Sequence, residues 1–144
     1  MSSPNTDIPA NRDASNVLTM LKATSIALVV GVLLQAWLGS SGFFEGKPGR
    51  IDAHAMVANL LFLVAAVQLV LAFIAFQRKA VSSTTLAIAV VSLASLVAQI
   101  GLGYGTRDSI DALMWHLPNG VLLMGLNAWL AGIISGPPGT TTHG

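Results

Sequence analysis

Apolar positions in this chain come in long unbroken stretches, not in the alternation of a half-buried strand or the narrow stripe of a water-facing helix. Four stretches stand out: Val17–Gly39, Ala53–Phe76, Thr84–Gly103 and Ala112–Ile134. Each holds roughly 20 residues or more, and a helix rising about 1.5 Å per residue needs about 20 to cross a hydrocarbon core near 30 Å thick. Lys22 is the one fixed charge inside these limits. The pattern predicts an all-α, polytopic membrane protein with four transmembrane helices. The connections Ser40–Asp52, Gln77–Ser83 and Tyr104–Asp111 are short, so consecutive helices must run antiparallel and form a four-helix bundle of two hairpins. Residues 1–16 are polar and turn-rich, and a disordered head is expected there. The transmembrane domain is expected over 17–134. Residues 135–144, with Gly136-Pro137-Pro138-Gly139, are expected to form a flexible tail, because successive prolines cannot continue a helix.

Composition sharpens the class. Only 9% of residues are Asp, Glu, Lys or Arg, and 53% are apolar, whereas soluble domains carry about a quarter charged residues. Such a chain cannot cover a water-facing surface, which excludes a soluble enzyme. A net charge of +1 gives no basic footprint for nucleic acid. With no cysteine there is no disulfide, thiolate metal site, Fe–S cluster or covalent c-type haem attachment. The partner implied is the lipid bilayer itself, joined by a larger membrane complex or by a second copy of the chain. Arg12, Lys22, Arg78 and Lys79 fall on the side of the head and second loop, and the Arg78-Lys79 pair has no neighbouring acid. This bias predicts both termini on the cytoplasmic face, with a bacterial cytoplasmic (inner) membrane as the expected location. Trp37, Tyr104 and Trp115 then form an outer aromatic belt, and Trp129 an inner one.

Laying the two hairpins side by side exposes an internal repeat. The first outward helix ends Gln35-Ala-Trp-Leu-Gly39 and the third ends Gln99-Ile-Gly-Leu-Gly103. A loop closing with Ile-Asp-Ala follows each, at Ile51–Ala53 and Ile110–Ala112, and each return helix then carries a histidine, His54 and His116. Two hairpins of one design imply a pseudo-two-fold axis with a site between them. Ile-Asp-Ala precedes His116 by three further residues, which offsets the two histidines by about one turn if the loops match.

Both histidines sit near the outer ends of helices running in the same direction. The face of His54 continues through Ala58, Leu61, Ala65 and Gln68, and that of His116 through Gly120, Leu123 and Asn127. Ala58 and Gly120, one turn beneath each ring, are small, as the face of a flat macrocycle wedged between helices requires. Two axial histidines would make a six-coordinate haem iron, suited to electron transfer. The bland counterpart is a pair of interfacial anchoring histidines over ordinary small packing residues. Gln35 and Gln99 at matching positions offer hydrogen bonds to a histidine or to a cofactor carboxylate, or serve as interhelical glue; the last is the simpler account. Arg50 and Arg107, in the two outer loops, suit haem propionates, or else pair with Asp52 and with Asp108 and Asp111. Ser92, Ser95 and Gln99 form a polar stripe expected to face the bundle interior.

The repeated Gln-x-x-Leu-Gly, outer loop and helix-opening histidine resemble one four-helix half of the haem A synthase family, over residues 17–134. The resemblance implies a cytochrome b-like bundle with His54 and His116 as haem ligands. The family's catalytic half carries Glu three residues before its first histidine, where this chain has Ile51, and many members have a loop cysteine pair that is absent here. The expected function is therefore a small membrane protein binding haem b through His54 and His116, for electron transfer or haem handling, an electron carrier or accessory subunit more than an enzyme. The alternative is a cofactor-free accessory or assembly subunit of a larger respiratory membrane complex. Haem A synthase-like oxidation by a homodimer ranks below both.

Overall fold

The structure is a computed structural model that describes residues 8–135 apart from Arg107, with side chains from Arg12 onward. Four helices account for almost all of it: α1 (Ile8–Phe44), α2 (Pro48–Gln77), α3 (Ser83–Gly105) and α4 (Ile110–Ser135). All four are long and apolar enough to cross a membrane, which gives the expected all-α bundle.

The helices outrun the apolar stretches that signal them. Residues 8–16, expected within a disordered head, are helical, and α1 also continues past Gly39 to Phe44. Once a helix is nucleated, each further residue needs only propagation, so the backbone ladder extends beyond the segment that hydrocarbon demands. For the same reason α2 begins at Pro48, and the first connection shrinks from the expected Ser40–Asp52 to Glu45–Lys47. The remaining parts of the expected head and tail, 1–7 and 136–144, lie outside the described residues.

Local chemistry fixes the turns. Gly46 takes φ +62°, a left-handed conformation that costs glycine nothing, and the Lys47 N–H then reaches back to the Gly42 carbonyl to close α1. Pro48 stands in the first turn of α2, where its missing N–H is no loss. Ser82 caps α3, its Oγ accepting the Thr85 N–H at 3.3 Å.

In cross-section the helices form a ring in which α1 touches α2 and α4, and α3 touches α2 and α4, while the diagonals α1–α3 and α2–α4 make no backbone contact. The interior is layered. One apolar layer holds Leu21, Leu71, Ala72, Ile88, Ala89 and Leu130. A second holds Leu28, Leu61, Ala65, Leu96 and Leu123. Between them lies a polar layer with one residue from each helix: Ser25, Gln68, Ser92 and Asn127, all fully buried. Gln68 Nε2 donates to Ser25 Oγ and to Asn127 Oδ1, both at 2.9 Å, and Asn127 Nδ2 donates to Ser92 Oγ at 2.7 Å. The Gln68–Asn127 bond spans the α2–α4 diagonal that backbone packing leaves open. With hydrocarbon outside, large apolar side chains such as Leu33, Leu60, Phe73 and Val121 lie exposed on the bundle surface, facing lipid.

This layer sets a first prediction. Asn127→Ala leaves Gln68 Nε2 and Ser92 Oγ short of a buried partner, and should destabilise the bundle by about 1–2 kcal/mol. Unfolding titrations in mixed detergent micelles, run as a cycle with Gln68→Ala, should return a coupling energy of about 0.5–2 kcal/mol between the two sites.

Candidate functional site

The two repeated histidines meet. His54 lies six residues after Pro48, the first residue of α2, and His116 lies six residues after Ile110, the first residue of α4. The three-residue offset in the sequence motif persists along the helices: Gln68 and Asn127, which hydrogen-bond across the diagonal, lie 14 and 11 residues beyond their respective histidines. On diagonal helices, both half-buried rings lie at the end of the bundle nearer the α1–α2 and α3–α4 turns, with centres 6.2 Å apart and planes inclined by 51°.

Each ring is oriented by the helix that precedes it. His54 Nδ1 lies 3.0 Å from the Gln35 carbonyl oxygen, and His116 Nδ1 lies 3.1 Å from the Gln99 carbonyl oxygen. A carbonyl only accepts, so each Nδ1 is the donor in its bond. Gly39 and Gly103 make room for these rings. A Cβ at Gly39 would lie 3.1 Å from His54 Cε1, and one at Gly103 would lie 3.2 Å from His116 Cε1. The repeated Gln-x-x-Leu-Gly is therefore a device in two parts, a carbonyl that aims the imidazole and a glycine that lets it lie against the helix.

The halves differ in their side chains. Gln99 Nε2 lies 3.2 Å from His116 Nε2, and Gln99 Oε1 accepts from Asn119 Nδ2 at 2.6 Å. Asn119 Nδ2 also donates to the Ser95 carbonyl. The Gln99 carboxamide fills the space over Gly120, where a Cβ would stand 3.2 Å from its Nε2. Gly120 thus admits an amide from its own bundle, not open space. On the other side, the Gln35 Oε1 atom is buried and has no hydrogen-bond partner. Ala58, one turn below His54, is half-buried.

Arg50 is engaged at the rim. Its Nη1 donates to Glu45 Oε1 at 2.9 Å, and its guanidinium lies 5.1 Å over the Trp37 ring. Glu45, not the expected Asp52, is its partner, because the left-handed turn at Gly46 folds Glu45 back over the start of α2. The Lys47 hydrogen bond first, and then Arg50, hold the Glu45 carboxyl below the ordinary carboxylate range. Arg107 lies outside the described residues. Met56 and Met114, next to the histidines in sequence, are exposed on the lipid side. Among the described residues no three His, Cys, Asp or Glu side chains gather as a metal shell. Of the residues that the sequence singles out, His54 and His116 meet against the Gln35 and Gln99 carbonyls, and the Gln99 and Asn119 side chains join α3 to α4. Gly39 and Gly103 stand in the repeat only as letters, and the structure shows them against the two rings.

Gly39→Leu or Gly103→Leu should push the facing imidazole off its carbonyl and destabilise the protein by about 1–3 kcal/mol. Gly101→Ala, where an added Cβ meets nothing within 4 Å, should be neutral or gain up to about 1 kcal/mol; thermal unfolding in detergent separates the two outcomes. No protein family, curated protein or solved structure matches this chain.

Proposed function

We propose that this protein binds one haem b between α2 and α4, with His54 and His116 as axial ligands, and serves as a small membrane electron carrier or haem-handling protein. The observation that carries the reading is the pair of imidazoles, held through Nδ1 on two equivalent carbonyls, with ring centres 6.2 Å apart. Were haem b bound, His54 and His116 would be the side chains to hold its iron, their spacing being of the size that one metal shared by two imidazoles requires. Nδ1–H donation to a backbone carbonyl is the outer-shell bond that metal-ligating histidines ordinarily make. A macrocycle supplies its own equatorial nitrogens, so two protein ligands suffice. Haem b held by two imidazoles supplies one-electron redox chemistry.

The remaining residues fit unevenly. Gln35 Oε1 is buried without a partner, and haem b, whose propionates only accept, brings no donor to it. Arg50 stands at the outer rim, on the side where propionates would lie. For His116 Nε2 to bind a metal, the Gln99 carboxamide must turn away, while its bond to Asn119 offers a resting place.

A second reading rests on that same carboxamide. Both ring nitrogens of His116 have protein partners in this structure, which suits a cofactor-free accessory subunit of a larger membrane complex. A reduced-minus-oxidised visible spectrum of protein expressed with ample haem separates the two. The haem reading expects sharp b-type α and Soret bands at about one haem per chain, lost in His54→Ala and in His116→Ala while helix content is retained. A flat spectrum overturns it and leaves the accessory reading.

The orientation belongs to the same proposal: a bacterial inner membrane with both termini cytoplasmic, supported by Arg78 and Lys79 in the α2–α3 turn. The chain has no cysteine, so single cysteines report cleanly. Asp108→Cys should react with a membrane-impermeant maleimide in intact spheroplasts, and Gln77→Cys only after lysis.

A further inference from the structure

The end of the bundle opposite the histidines carries a feature that the haem reading does not use. Residues 14–22 of α1, the α2–α3 turn and the end of α4 line an open groove of about 590 Å³. Leu18, Ala80 and Ile134 form apolar walls, and Ser15, Thr19 and Lys22 add polar groups. A volume of this size lies in the range that holds small ligands.

Lys22 is the charge that needs explaining. It is half-buried and belongs to an otherwise uncharged apolar run. The ion pairs among the described residues lie at the other end of the bundle, at Glu45 with Lys47 and Arg50. Asp13 is the only carboxylate of α1 among the described side chains, and nine residues of helix place it about 13 Å away along the axis. From Lys22 to the end of α1 at Phe44 the helix rises about 33 Å, so Lys22 stands near the boundary between hydrocarbon and head groups. Arg12, Arg78 and Lys79 add positive charge at the same end.

We propose that this cleft is a binding site for an anionic phospholipid, with the Lys22 ammonium on the head-group phosphate, Ser15 as a neighbouring donor, and Leu18 and Ile134 against the upper acyl chains. An ammonium at the phosphate level beside apolar walls matches a lipid's joint of phosphate and chain, whereas a free anion has no use for the walls. Arg12, Arg78 and Lys79 raise the local concentration of anionic lipid, as basic residues flanking membrane helices do. The site is independent of the haem reading.

The test takes the full-length protein from vesicles of phosphatidylglycerol or of phosphatidylcholine with the same chains, and counts retained lipids by native mass spectrometry. One phosphatidylglycerol adduct per chain is expected, with phosphatidylcholine largely lost. Lys22→Gln should lower the adduct fraction about fivefold and Lys22→Arg should keep it. The double variant Arg78→Gln/Lys79→Gln should lower it less than Lys22→Gln does. Equal retention of the two lipids, or a Lys22→Gln protein that retains phosphatidylglycerol like the wild type, overturns the site. A double variant that removes the adduct when Lys22→Gln does not also overturns it, in favour of diffuse surface charge. Displacement of the adduct by millimolar inorganic phosphate would show that the cleft takes a free anion and would overturn the lipid assignment.

Discussion

No water reaches the middle of a membrane bundle, so every polar group placed there must find its partner inside the protein. This constraint organises the whole interior. At mid-depth it produces a chain of bonds, Ser25–Gln68–Asn127–Ser92, in which each helix gives one side chain and the Gln68 Oε1 atom alone of the four side chains' polar atoms is left without a partner. At the end nearer the α1–α2 and α3–α4 turns it ties each histidine to a carbonyl of the helix before it. Individually such bonds are worth little, about 0.6 kcal/mol on average. Their effect lies in register, since sliding one hairpin against the other by a turn would strand several buried polar atoms together.

The polar layer and the histidine pair are connected by that register. The two lie on the same interior faces of α2 and α4, where Gln68 and Asn127 meet across the diagonal and His54 and His116 do so nearer the α1–α2 and α3–α4 turns. The layer fixes the register of α2 against α4, and in that register the imidazoles come to 6.2 Å although His54 stands 14 residues from Gln68 and His116 only 11 from Asn127. Symmetry supports the pairing without being complete. The Gln–carbonyl and glycine devices repeat in both halves, while the Gln99 carboxamide binds His116 and Asn119 and the Gln35 oxygen is left over. An asymmetric site of this kind has one histidine free at Nε2 and one covered.

Much of this was legible along the chain. Four uninterrupted apolar runs determine four spanning helices, because hydrocarbon accepts no other uncharged, internally bonded stretch of that length. The repeated order of Gln, Leu-Gly, Ile-Asp-Ala and His determines that two histidines belong to equivalent hairpins. The buried faces Leu61-Ala65-Gln68 and Leu123-Asn127 also follow from helical spacing. Helix ends did not follow, because backbone bonding continues past the segment that hydrophobicity marks, as 8–16 and Ser40–Phe44 show.

Tertiary structure decided what spacing along one helix cannot express. Whether His54 and His116 come within reach of each other depends on how α2 and α4 are registered across the bundle, which no spacing along one helix gives. Whether Gly120 offers open space depends on a carboxamide from α3 that lies over it. Whether Arg50 meets Asp52 or Glu45 depends on a single left-handed residue, Gly46. The sequence by itself determined the environment, the number of helices and the residues in question, since these follow from transfer into hydrocarbon and from periodicity. Only the fold decided which of those residues touch, because contact between helices depends on loop geometry and register, which are properties of the assembled bundle.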